Sequence, residues 1–319
     1  MVRGLLKNII PEEIIKLQKR SWNITLLKSL DIWLEFVFRT EEFNKYKKEC
    51  KRKILEKLFP KDDFHRFPIY YISIRPRTRF IKHIKCMSKD RKSIRILLIE
   101  GFRPSVFSIC IEELSSMMGF DNSSSIVIYV QDKYIICNDG KKQMTISVYD
   151  LLYLSGYKFK YDNVIFYIGC TKNPDSRPFS AAHAGLAEVL YNEYNRKRHD
   201  IFINYQQFHI NSIINNKAGL IFQVSNTMLN EINIEKEVKI VESCLIKYYL
   251  ENKTGNYKRE MAYLKNRLDY DLSNRNISSI IFLINYEDSM SMFKYKHNKS
   301  KNCIQFEIIS KFDTIHIVE

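Results

Sequence analysis

Apolar residues recur at helical spacing over positions 12–38, at Ile14, Ile15, Leu17, Trp22, Leu26, Leu27, Leu30, Trp33, Leu34 and Val37. With Pro11 in the first turn, where a missing N–H costs nothing, the spacing predicts a helix. A second helix is expected from residue 41 to 58, ended by Pro60. Its lysines alternate with Glu41, Glu42, Glu49 and Glu56, the pattern of a solvated helix laced with ion pairs. The period then shortens. Stretches 67–74 and 94–99 are rich in β-branched and aromatic residues and read as strands, a helix is expected at 105–118, and the small polar run 119–125 reads as a linker.

Beyond that run, strands are expected at 126–130 and 133–137 with Asp139-Gly140 as a turn, then at 164–168, 220–224, 277–284, 303–309 and 314–318. Helices are expected at 179–194 and 231–250. No internal repeat interrupts the order, and runs of strands beside separate helices place the chain in the α+β class. Its first 121 residues read as a basic region of helices and mixed structure, and residues 266–319 as a β-rich extension.

Charge adds a partner class. The 319 residues carry a formal charge of +15, which attracts nucleic acid by counterion release and also suits an anionic membrane. Part of that charge can equally reflect the Ile, Asn and Lys richness of an AT-rich genome. Between residues 66 and 100 ten Lys and Arg side chains face only Asp90 and Glu100. Arg75, Arg77, Arg79, Lys82 and Lys85 lie there among Tyr70, Tyr71 and Phe80, a mixture that grips phosphate backbones and makes these five, with Lys172, the candidate nucleic-acid contacts. No apolar run reaches the length of a membrane span, and the N-terminus lacks the apolar core of a secretory signal. Seven widely spaced cysteines without a C-x-x-C predict reduced thiols in an intracellular protein.

Candidate chemistry is concentrated in one strand–turn–helix unit, residues 164–183, where Tyr167 and Gly169 end a strand, Arg177 lies in the turn and His183 opens the next helix. A phenol, a guanidinium and an imidazole in one such unit suit a phosphodiester. Farther on, Glu242 lies on the 231–250 helix beside Leu245 and Ile246, and Asn252 just past its end. Each has a plainer role available: a packed strand tyrosine, a turn arginine, a structural histidine, a solvated glutamate, a helix cap.

Taken together, Tyr167-Ile168-Gly169, Ser176-Arg177-Pro178, His183, Glu242 and Asn252-Lys253-Thr254-Gly255 resemble the GIY-YIG nuclease family, and within it the branch whose members carry ankyrin repeats and a LEM domain. The match spans roughly residues 126–265. It implies a small domain with a central antiparallel sheet flanked by helices. It also implies a DNA endonuclease that binds Mg²⁺ (or Mn²⁺) at Glu242, clamps phosphate with Arg177 and uses Tyr167, His183 and Asn252 around the attacking water, with branched or distorted DNA as substrate. RNA stays open as the nucleic acid. Three departures stand out. The usual Gly-Lys-Gly is Cys170-Thr171-Lys172, the appended domains are absent, and with no Gly-Ile-Tyr triplet the first tyrosine is Tyr129, with Tyr134 and Tyr157 as alternatives. The competing expectation is a catalytically inactive nucleic-acid-binding protein on the same scaffold.

Overall fold

The computed structural model describes residues 4–6, 18–35, 67–81, 86–87, 92–120, 126–174, 177–179, 184–193, 198–215, 221–250, 257–286, 303–311 and 314–318. The chain divides into two compact units. Unit 1 comprises Met1–Ser73, Asn163–Glu193 and Phe202–Glu319, and unit 2 comprises Ile74–Asp162 and Tyr194–Ile201. Their edges do not coincide with the expected boundaries near residues 121 and 266.

In chain order the described elements begin with strands β1 (Arg20–Trp33), β2 (Ile69–Pro76), β3 (Thr78–Phe80), β4 (Cys86–Met87), β5 (Ser93–Glu100) and β6 (Arg103–Cys110), then helix α1 (Ile111–Met117). Next come β7 (Val127–Val130), β8 (Tyr134–Asn138), β9 (Gln143–Ser147), α2 (Val148–Leu154), β10 (Val164–Cys170) and α3 (Ala184–Glu188). The last group is β11 (His199–Asn215), β12 (Ile221–Ser225), α4 (Asn226–Leu229), α5 (Ile234–Leu250), α6 (Tyr257–Asn266), β13 (Ile277–Asn285), β14 (Cys303–Lys311) and β15 (Thr314–Val318). Strands and helices coexist throughout, as an α+β chain requires.

One sheet runs in the order β10-β2-β11-β1-β13-β14-β15, with β12 added to β11. It is mixed, not purely antiparallel: β1 pairs antiparallel with β11 but parallel with β13. The chain between β1 and β13 is long enough for the crossover a parallel pair needs. The final strands, β13 to β15, extend this sheet. α5 packs on β10, and its Val241, Cys244, Leu245 and Tyr248 join Trp22, Ile24, Ile69, Tyr71, Ile165 and Ile168 in the core. Phe306 continues that core by stacking on Phe282, with ring centroids 4.5 Å apart, and on Tyr248 at 3.9 Å. In unit 2, β3 and β4 pair with β5, which also pairs with β6, while β7, β8 and β9 form a meander.

One expected helix contains a strand instead, and another is a strand in its first half only. Residues 20–33, inside the helix expected at 12–38, form β1, and the rest of that stretch outside 18–35 lies beyond the described residues. Trp22 and Ile24 alternate inward with period 2, and a bulge between Leu26 and Lys28 then shifts the register. The extra residue breaks the alternation so that the apolar positions mimic a period of 3.6. Residues 103–110 form β6, with Phe107 and Ile109 buried and Val106 and Ser108 exposed, and only 111–117 are helical. The helix expected at 179–194 is interrupted. A 3₁₀ turn holds Arg177–Phe179, α3 follows, and Val189–Glu193 is a π turn. The lysine-rich helix expected at 41–58 and most of the 119–125 linker lie outside the described residues. The Asp139-Gly140 turn is present: Gly140 has φ +89°, and the Asp139 carboxylate accepts from the N–H groups of Lys141 and Lys142 at 2.9 and 2.7 Å.

Candidate functional site

Strand β10 ends in Tyr167-Ile168-Gly169-Cys170, and Ile168 faces the core. The turn after it is tied down at several points. The Thr171 N–H donates to the Pro68 carbonyl at 3.2 Å, the Tyr205 hydroxyl to the Pro174 carbonyl at 2.5 Å, and the Arg177 N–H to the Asn173 carbonyl at 3.1 Å. These bonds deliver Arg177, exposed, to the rim of a pocket of about 500 Å³. Cys170, Thr171, Lys172 and Asn173 line it from the strand end, and Lys236, Val238 and Lys239 from α5. On α5, Glu235, Val238, Lys239 and Glu242 share a face because residues three and four apart in a helix are neighbours.

The tyrosine that meets Tyr167 is Tyr70 on β2. Their ring centroids are 5.9 Å apart, and the two hydroxyls share a hydrogen bond. Either hydroxyl can be the donor in that bond. Burial pushes both phenols above their usual range, and Glu242 raises them further, while Arg177 pulls the other way. Both are therefore neutral phenols near pH 7 and act as orienting groups rather than ready bases. The Cys170 thiol donates to the Glu242 carboxylate, and burial together with that carboxylate pushes the thiol up to about 12. Glu242, Arg177 and Lys239 thus act on the same two side chains, Tyr167 and Cys170. A Cβ on Gly169 would meet the Tyr70 hydroxyl at 2.7 Å, and one on Gly185 would come within 2.3 Å of the Tyr167 ring, so both glycines are needed for the phenols to lie where they do.

Glu242 is 5% exposed and its carboxylate is engaged. Lys239 donates to it at 2.8 Å and bridges to Glu260, on α6, at 2.9 Å. Glu260, also buried, accepts from the Ser243 hydroxyl at 3.2 Å. One ammonium therefore serves two buried carboxylates, and those carboxylates raise the Lys239 pKa against the opposing effect of burial.

The resemblance implies a divalent cation at Glu242, and the donor set does not fit one. Mg²⁺ needs carboxylate oxygens left open to it, with water and phosphate completing an octahedron. Here the ammonium of Lys239 and the thiol of Cys170 both claim the Glu242 carboxylate. Among the described residues no group of three or more His, Cys, Asp or Glu side chains could hold a metal.

The remaining candidates separate. Tyr129 is half exposed on β7 of unit 2, Tyr134 lies on β8, and Tyr157 bonds Glu100 at 3.3 Å. His183, Asn252, Lys82 and Lys85 lie outside the described residues. Arg75 and Arg79 are structural: Arg75, 2% exposed, donates to the Tyr161 carbonyl at 2.9 Å and lies 4.0 Å over the Phe159 ring, while Arg79 binds Asp200 through two bonds of 2.6 Å. Side chains so committed are not offered to a nucleic acid; the dense charge of that stretch is partly spent inside unit 2. Arg77 is half-buried, its N–H bonded to the Arg198 carbonyl at 2.8 Å. Lys172 does line the pocket, paired with Glu235. Tyr70 is the site residue that sequence reasoning missed. Its signal was present: Pro68-Ile69-Tyr70 opens an apolar strand and differs from Gly-Ile-Tyr at one position.

No family model matches this chain, and no curated protein and no solved structure matches it. Among the described residues no helix is long and apolar enough to cross a membrane.

Proposed function

We propose that unit 1 carries a phosphodiester-directed site and that the protein is a nucleic-acid endonuclease, acting on branched or distorted DNA. The observation that carries this reading is that Tyr70 on β2 and Tyr167 on β10 both feel Arg177 and Glu242, and that Arg177 lines a pocket whose wall also includes Cys170 and Lys239. The exposed guanidinium would clamp the scissile phosphate, where a planar fork suits the crowded charge of the transition state. The two phenols would orient the attacking water or the phosphate oxygens. The net charge of +15 supports an anionic polymer as partner.

The test is cleavage of linear, nicked, flapped and four-way DNA, each with Mg²⁺ and with EDTA. Arg177→Ala and Glu242→Gln are each expected to cut cleavage by at least about 100-fold while leaving the circular dichroism spectrum unchanged. Cleavage that survives both substitutions rules the site out. A second reading, a binding protein without activity, is favoured by one observation: Lys239 already holds the Glu242 carboxylate. It predicts salt-sensitive DNA binding with a steep log–log slope and no cleavage of any substrate.

A further inference from the structure

We infer that the ammonium of Lys239 takes the place of a divalent cation, so that this site works on phosphodiesters without metal. The inference rests on the nuclease reading and sharpens it. Lys239 is the only described cation bonded to Glu242, at 2.8 Å, and it also spans to Glu260 at 2.9 Å, which Arg259 approaches more distantly at 3.5 Å. A divalent ion bound to Glu242 would have to displace that ammonium and would meet it at short range, a like-charge contact in a poorly solvated place. Lys239 and Arg177 both line the pocket, the first from α5 and the second from the turn after β10.

Arg177 supplies a full positive charge to a five-coordinate phosphorus, and Lys239 supplies donor N–H groups while it offsets the charge of the two carboxylates. In the step, the water oxygen forms a bond to phosphorus as the bond to the leaving oxygen breaks. The water gives one proton to solvent and the leaving oxygen takes one from solvent, so the products are a phosphate monoester and an alcohol.

Two readouts test this on the full chain. Cleavage by the wild type in EDTA is expected to stay within about twofold of its rate in Mg²⁺. K239M is expected to lose about 100-fold in EDTA, the usual effect of removing one transition-state donor. With the ammonium gone, K239M should bind Mn²⁺, followed by electron paramagnetic resonance, where the wild type does not. K239M/E260Q, which has one buried carboxylate fewer, serves if K239M does not fold. Wild-type cleavage that requires Mg²⁺ or Mn²⁺ overturns the inference and leaves the nuclease reading intact. Absence of cleavage under every condition overturns the nuclease reading and the metal-free step with it, and the Mn²⁺ titration then tests only whether Lys239 keeps a divalent ion off Glu242. Wild-type Mn²⁺ binding that Glu242→Gln abolishes would count against it, and binding gained only in K239M would support it.

Discussion

Both units bury carboxylates against cations, but they close them differently. In unit 2, Asp200 is fully buried and receives two bonds from Arg79 and one from the Tyr149 hydroxyl, each 2.6 Å long. Glu100, also fully buried, accepts from the Lys160 and Tyr161 N–H groups at 2.8 and 3.1 Å, with Arg75 at 3.7 Å. Each carboxylate there has its own guanidinium. Unit 1 has one such pair as well, Arg20 with Glu231 at 2.6 Å, but at the edge of the pocket that Arg177 lines one ammonium is shared by Glu242 and Glu260, the latter also approached by Arg259 at 3.5 Å. A buried ion pair is weak evidence of purpose. Matched donors and acceptors in a sealed interior read as architecture, whereas a shared cation and an exposed guanidinium at a cavity read as a site.

The widest separation between the two regions should come from Asp200→Leu. It leaves Arg79 buried without its anion, and removing one partner of a buried pair costs about 3–5 kcal/mol. Urea unfolding should show this loss, and a midpoint near that of wild type would mean that unit 2 does not depend on the pair. Arg177→Ala should do the reverse. Its side chain is exposed, so stability should move by no more than about 0.5 kcal/mol, while cleavage falls by about 10²–10³-fold. A stability loss as large as that of Asp200→Leu would make Arg177 architectural too.

A smaller effect is expected at Gly185→Ala. The added methyl must displace the Tyr167 ring, and overpacking of this kind costs about 1–3 kcal/mol. Cleavage should fall with it, and unaltered cleavage would mean that the placement of the phenol is irrelevant to function. The smallest effect is in pH dependence. Cys170 titrates near 9 when unfolded and is pushed up to about 12 in the fold. A raised acid group gives stability that is complete below pH 9 and is lost as pH climbs toward 12. Alkaline denaturation of Cys170→Ala should therefore be shallower than that of wild type over this interval. At pH 8, iodoacetamide should label exposed Cys303 at least about tenfold faster than Cys170, since only the thiolate reacts.

Strands rich in β-branched and aromatic residues were legible from the chain alone: β2, β5, β7, β8, β10 and β13 to β15 fall where that composition put them. α5 was legible from its length and periodicity. β1 was misread because its bulge breaks the alternation. β11 escaped notice because its seventeen residues include Asn204, Gln206, Gln207 and Asn211, all buried. Such residues tolerate the interior only when bonded there, as Asn204 is to Ser73 at 2.7 Å and to Asp31 at 2.6 Å. No local pattern announces partners so far away along the chain.

For the site, the residue types of Tyr167, Arg177 and Glu242 and their place at a strand end, in a turn and on a helix could be read from the order of amino acids. Period, turn chemistry and charge act over a few residues, and so they specify local structure and the chemistry on offer. Which tyrosine stands beside Tyr167, and which cation holds Glu242, were decided by strand order and by the packing of α5 on β10 and α6. Hydrogen bonds and ion pairs depend on distance in space, and only the folded chain sets those distances.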